Sequence, residues 1–322
     1  MRIRLLVTLV FCVLLAGCTT EKAPPLRIGT NVWPGYEPLY LAQEIGALDD
    51  AEVRLVEYSS ATQVLRAFRN NLIDAAALTL DESLRLLASG LEPRVVLVMD
   101  VSDGADAIIA RPGIEDIKDL KGLRIGVEDG ALGAFFLHQA LERAGLTESD
   151  LVVVPVEIDE QENAYSTHHI DAAVTFDPVR SRLLSQGAVQ VFDSSEIPGT
   201  IVDVLVVRKS FLDHHPGQVK KALAGWYKGV TYLKSSPKAA SAFISERLGV
   251  EPTMVLETYA GIHIPDQSEN RTLLSKGNAD ADLAEIASRL NSIMMEHNII
   301  TDSVSTDLLF DITPTLLSDS SS

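Results

Sequence analysis

The chain has 322 residues, 46% of them hydrophobic, and a formal net charge of −18. That length is enough to bury the cores of two domains, and so acidic a surface repels nucleic acid and anionic lipid headgroups. No basic patch with interleaved aromatics interrupts it, so nucleic acid is excluded as a partner.

Arg2 and Arg4 precede an apolar run at residues 5–16, the length of a signal-peptide core and too short to span a bilayer. The string Leu15-Ala16-Gly17-Cys18 resembles the lipobox of bacterial lipoproteins. Cys18 is therefore the expected lipidation site, residues 1–17 a leader that is removed, and residues 18–25 a polar tether. The only other cysteine, Cys12, lies in the leader, so no internal disulfide is expected. Loss of Arg2 and Arg4 leaves a net charge of −20. The expected location is the cell envelope, lipid-anchored on the periplasmic or extracellular side of a bacterial membrane.

Folded sequence begins at Leu26 with strands predicted at 27–30, 53–57, 75–79 and 94–99, alternating with helices at 38–46, 61–70 and 82–89. This unit recurs. Leu26-Arg27-Ile28-Gly29 returns as Leu123-Arg124-Ile125-Gly126, and Ile73-Asp74-Ala75-Ala76 as Ile170-Asp171-Ala172-Ala173, both 97 residues on. Gly90 and Gly187 close the following helices at the same spacing, and the second copy has predicted strands near 124–127, 152–157, 172–175 and 189–192. Two copies of an alternating strand–helix unit predict an α/β protein with a parallel sheet in each of two Rossmann-like lobes.

Extended segments at 106–111 and 202–208 read as a two-strand hinge. The expected division is lobe 1 at 26–105, lobe 2 with the hinge strands at 106–207, and a return to lobe 1 with C-terminal helices at 208–317. Helices are predicted at 218–233, 239–248 and 283–297, with a disordered tail at 318–322.

Ligands of open α/β sheets bind beyond the carboxyl ends of the strands. From lobe 1 those ends offer Thr30, Asn31, Trp33 and Tyr36, then Ser59, Ser60 and Thr62, then Thr79 and Asp81. From lobe 2 they offer Asp129, Gly130 and Ala131 within residues 128–133, then Thr175 and Asp177. Ser59 and Ser60 fit a plain helix cap as well as an oxyanion site. Trp33 and Tyr36 fit either ligand stacking or a lid on the core. Asp81 and Asp177 either cap their own helices or meet an amine. Asp74 and Asp171 read as structural. His168-His169 and His214-His215 lack the spacing of metal ligands, and no nucleophile elbow, phosphate loop or thiol nucleophile of the mature fold appears, so no metal, cofactor or catalytic residue is expected.

The phrases RIGTNVWPGYEPLYLAQEIGAL, LIDAAALTLDE, DLKGLRIGVEDGALGAFFLHQAL and HIDAAVTFDP are similar, in order, to segments of the nitrate/sulfonate/taurine-type ABC transporter substrate-binding proteins. The resemblance covers residues 26–210 well and the helical end loosely. It implies the type II periplasmic-binding-protein fold and a monomeric, non-enzymatic receptor that hands a small solute to a permease and ATPase. It leaves the ligand open between taurine- or sulfonate-like compounds and the pyrimidines that other members bind. Aspartates and aromatics at the predicted strand ends, with few Lys or Arg, favour an amine or heterocycle over a bare inorganic anion. The alternative is a sensory lipoprotein that reports the ligand to a signalling partner.

Overall fold

A computed structural model describes residues 23–128, 131–275 and 283–312. The leader, Cys18 with most of its tether, Asp129, Gly130, the side chain of Ala131 and the tail at 318–322 lie outside the described residues.

The chain opens with β1 (Leu26–Asn31), a short turn at Pro34–Tyr36, α1 (Glu37–Glu44), β2 (Val53–Tyr58), α2 (Ala61–Arg69), β3 (Ala75–Thr79), α3 (Leu80–Ala88) and β4 (Pro93–Ser102). It then crosses to β5 (Ala107–Ala110), β6 (Arg124–Val127), α4 (Ala131–Ala144), β7 (Val152–Pro155), α5 (Ile158–Ser166), β8 (Ala172–Thr175), α6 (Val179–Ser185) and β9 (Val189–Asp193). It returns through β10 (Val202–Arg208) to α7 (Lys209–His214), α8 (Pro216–Ser235), α9 (Pro237–Leu248), α10 (Pro252–Tyr259), β11 (Ile262–His263), α11 (Gln267–Leu273) and α12 (Leu283–Glu296). The first sheet has the order β11-β4-β10-β3-β1-β2 and the second β7-β6-β8-β5-β9. Read from its other edge, the second sheet repeats the first, less β11.

The repeat in the sequence is a repeat of contacts. Arg27 donates from Nε and Nη2 to Asp74 at 2.7 and 2.8 Å, and Arg124 to Asp171 at 2.9 and 2.8 Å. These paired bonds hold β1 to the start of β3 and β6 to the start of β8, the structural role expected of both aspartates. Arg208 stacks 4.3 Å from the ring centre of Phe68, and Arg111 4.4 Å from that of Tyr165, the equivalent residue. Gly29 and Gly126 sit under Ile73 and Ile170, whose Cδ1 atoms leave no room for a β-carbon. β3 (AAALT) is buried along its whole length, because helices cover both faces of the sheet.

The sheets are mixed rather than parallel. β10 runs antiparallel to β3 and β4, and β5 antiparallel to β8 and β9. Each is the first strand after a crossing. The chain leaves one sheet and reaches the other at the carboxyl ends of its strands, so the arriving strand must run back away from them. β10 also lies wholly in the first sheet, so the second crossing falls at residues 194–201 rather than within 202–208. The two crossings are bonded to each other. The hydroxyls of Ser102 and Ser194 are 2.7 Å apart, Gly104 N donates to Ser194 Oγ at 2.6 Å, and Ser194 N to Asp106 O at 2.9 Å.

The C-terminal helices cover the first sheet. α8 lies on α1 so closely that a β-carbon on Gly229 would be 1.9 Å from the carbonyl of Pro38. On the other face Leu283, Ala287, Leu290 and Met294 of α12 join Leu84 and Leu87 in one core. Asn270 of α11 acts as a single residue of strand: it accepts from Val98 N at 2.7 Å and donates to Val98 O at 3.0 Å.

Candidate functional site

The carboxyl ends of both sets of parallel strands face one cleft. From the first lobe it is lined by Asn31 at the end of β1, Trp33 and Tyr36 in the turn beyond it, and Thr79 at the end of β3. Ala61 at the start of α2, Glu82 in the first turn of α3 and Asp203 near the start of β10 complete that wall. The second lobe contributes Asp106, Glu128, Phe136, Gln161 and Phe176. Four carboxylates thus line the cleft, and no Lys, Arg or His does so among the described residues.

The aromatic wall is anchored from below. Trp33 donates from Nε1 to Asp100 at 3.1 Å, and its ring meets that of Phe176 edge-on at 5.3 Å, across the two lobes. Gly35 makes this geometry possible, since a β-carbon there would fall 2.0 Å from Asp100 Oδ2 and 2.3 Å from Trp33 Nε1. Tyr36 donates its hydroxyl to Asp203.

Burial dominates the charge states. It pushes Asp106 up to about 7, and Glu82 and Asp100 up to about 8, with Asp81 adding to the rise at Glu82. Asp203 is raised well above the usual carboxylate range by burial and by Asp100. Glu128 is raised by burial, against the bonds that Thr62 gives it.

The residues predicted from sequence divide clearly. Asn31, Trp33, Tyr36 and Thr79 come together in the cleft. Ser59 and Ser60 do not line it. Ser60 caps α2 through a bond from Gln63 N at 3.3 Å and donates at 2.6 Å to Glu157 of the other lobe, while Ser59 Oγ accepts from Gln63 Nε2 at 2.7 Å. The start of α2 does hold a carboxylate, but the chain's own. Glu128 Oε1 accepts from Thr62 N and Oγ1 at 2.8 and 2.9 Å. Asp81 is buried beside the cleft and Glu82 reaches it instead. Asp177 is turned away and accepts from Ser181 N at 3.0 Å and Thr258 Oγ1 at 2.6 Å. Thr175 is buried without lining the cleft. Asp129, Gly130 and the side chain of Ala131 fall outside the described residues.

Sequence reasoning passed over Asp106 and Asp203, although the signal was present. Asp106-x-x-x-x-Arg111 recurs as Asp203-x-x-x-x-Arg208, again 97 residues on. Among the described residues no group of three or more His, Cys, Asp and Glu is placed to hold a metal, and no helix is long and apolar enough to cross a membrane.

The model of the NMT1-like family matches residues 19–248. The chain belongs to that family. A Bacillus subtilis relative named for binding aliphatic sulfonates is 26% identical over 257 residues, covering 75% of this chain and 76% of its own. The alkanesulfonate-binding protein SsuA of Xanthomonas axonopodis pv. citri, solved with MOPS, superimposes with a TM-score of 0.74. It is 18% identical and covers 88% of this chain and 98% of its own. The desulfurization enzyme DSZB shares the fold as well, with a TM-score of 0.65, 18% identity and coverage of 90% and 97%. The α/β periplasmic-binding-protein fold and the resemblance to sulfonate-type binding proteins therefore stand. Relatives on this fold include both binding proteins and an enzyme, so the chemistry of this chain rests on its own cleft.

Proposed function

We propose that this chain is the solute-binding lipoprotein of an ABC importer. In this reading Cys18 anchors it to a bacterial membrane by lipid. As a monomer it captures a small organic nitrogen or sulfur compound between its lobes and presents the closed form to a permease driven by an ATPase. The observation that carries the reading is the cleft itself. Both lobes supply its walls, paired crossings bonded at Ser102 and Ser194 form its hinge, and Glu128 and Glu157 of one lobe bond to Thr62 and Ser60 of the other. A ligand touching both walls favours the closed arrangement by its differential affinity for it. Among the described residues the cleft's wall combines carboxylates and aromatics, a lining suited to holding a small solute.

Small-angle scattering of the mature protein with and without candidate solutes tests closure, and uptake by a strain lacking the gene tests transport. A solute that compacts the protein and is no longer imported by the deletion strain is the expected result. Compaction with unaltered uptake moves the protein to sensing.

A further inference from the structure

The polar groups left unmatched in the cleft specify what charge it takes. Asp106 Oδ2 and Gln161 Oε1 are buried acceptors with no hydrogen-bond partner, one at the first crossing and one on α5. The amide of Gln161 cannot be turned to present a donor, because its Nε2 already donates to Val174 O at 2.9 Å. The other acids are partly engaged: Glu82 Oε2 accepts from Thr79 N at 3.0 Å, Asp203 accepts from Tyr36, and Glu128 accepts from Thr62. Against these acceptors, the unmatched buried hydroxyl that lines the cleft among the described residues is that of Thr79. Among the described residues no cation lines the cleft, and the amide of Thr62 at the start of α2 is taken by Glu128. Unmatched buried acceptors favour a ligand that donates.

Resting on the solute-receptor reading, we infer that the ligand is an organic cation, a compound whose protonated N–H groups donate to Asp106 and Gln161 and whose flat apolar body lies against Trp33 and Phe176. The sulfonates named for relatives are then the wrong charge for this member of the family. Asp106 also explains how such a ligand would close the protein. Its backbone carbonyl accepts from Ser194 and its amide donates to Ser102, so the group that meets the cation is built into the hinge. The charged groups that face Asp106 are Asp81 of α3, Asp100 of β4, Asp177 before α6, Asp203 of β10 and Arg180 of α6, which also lies 3.9 Å from Asp177. Acids outnumber the single arginine, and Asp106 loses its proton more readily when a cation arrives.

The test uses the mature full-length chain in detergent, with thermal shift and intrinsic tryptophan fluorescence as readouts. Benzylamine and 4-aminopyridine serve as cations, benzyl alcohol as the neutral match, and benzenesulfonate and methanesulfonate as anions. The expected result is saturable binding of the cations at least tenfold tighter than benzyl alcohol, tighter at pH 8 than at pH 6, with the sulfonates silent. Asp106→Asn is expected to weaken the cations at least tenfold without lowering the melting midpoint of the ligand-free protein, and Asp203→Asn checks the same point at a second carboxylate. Cations that bind no tighter than benzyl alcohol, or an Asp106→Asn protein that binds them unchanged, overturn the inference. A sulfonate that binds and compacts the protein does so too, yet leaves the receptor reading standing. If no solute of either charge changes the scattering profile, the receptor reading falls with it.

Discussion

Asp106 and Asp203 are equivalent residues of the two copies, 97 apart in the chain, and both carboxylates line the same cleft. Each follows a crossing between the sheets, so duplication of the unit brought two acids into one low-dielectric space. This has a consequence for stability without ligand. Asp106, Asp100 and Glu82 all have folded values raised to about 7 or 8, so the folded state holds protons that the unfolded chain releases above about pH 4. Their contribution is full below that point and is lost as pH rises towards 8. Asp171, held low by Arg124, works in the opposite direction at still lower pH. The ligand-free protein should therefore be most stable near pH 4, and Asp106→Asn should gain about 1–3 kcal/mol at pH 8.5 and much less at pH 5. Urea unfolding at the two pH values measures this. Equal effects at both would remove the proposed cause.

The close packing over Gly29 and Gly126 predicts a matched pair of variants. A β-carbon would lie 2.4 Å from Ile73 Cδ1 in the first lobe and 2.7 Å from Ile170 Cδ1 in the second. Gly29→Ala should destabilise by about 1–3 kcal/mol through overpacking. The double variant Gly29→Ala, Ile73→Val removes the colliding methyl and should recover most of that loss. A double variant as unstable as the sum of its parts would show that the backbone, not Cδ1, sets the limit.

Glu128 holds the lobes together and occupies the natural anion site at the start of α2. Charge-assisted bonds of this kind are worth about 1.5–3 kcal/mol. Glu128→Ala should therefore shift the ligand-free protein towards an open form, seen as a larger radius of gyration. The free amide of Thr62 should then bind sulfate more tightly than in the native chain; calorimetry with sulfate on both proteins checks the second effect.

Asn270 fills a gap in the first sheet where β11 does not reach. Asn270→Ala leaves Val98 N and Val98 O without partners in a buried setting. The expected loss is about 2–4 kcal/mol, with the dependence on denaturant unchanged. Because Asn270 lies on α11 away from the cleft-lining residues, ligand affinity measured under folded conditions should stay as it is.

How much of this was legible from residue order differs by feature. The strands at Leu26–Asn31 and Arg124–Val127 were readable because a repeated apolar string leaves few alternatives. The direction of Val202–Arg208 was not, since a strand buried on both faces shows the same apolar run whichever way it runs. Asn31, Trp33, Tyr36 and Thr79 followed from the rule that places ligands at strand ends. Asp81 and Glu82 could not be told apart that way, because one residue rotates a helical side chain by about 100° and the start of α3 decides which acid turns inward. The filling of the α2 terminus by Glu128 depends on how the lobes meet, which no local pattern encodes.

The crossed strands also bear on how the molecule can be divided. β5 belongs in sequence to the end of one copy and in space to the middle of the other sheet, and β10 does the converse. Neither copy by itself can complete its sheet. Cut between the copies, after β5 and before β6, the chain would give two fragments, each missing an interior strand that only the other can supply. They should fold together or not at all. A single ancestral copy would face the same shortage, and exchanging that strand with a twin is the arrangement by which it could be met.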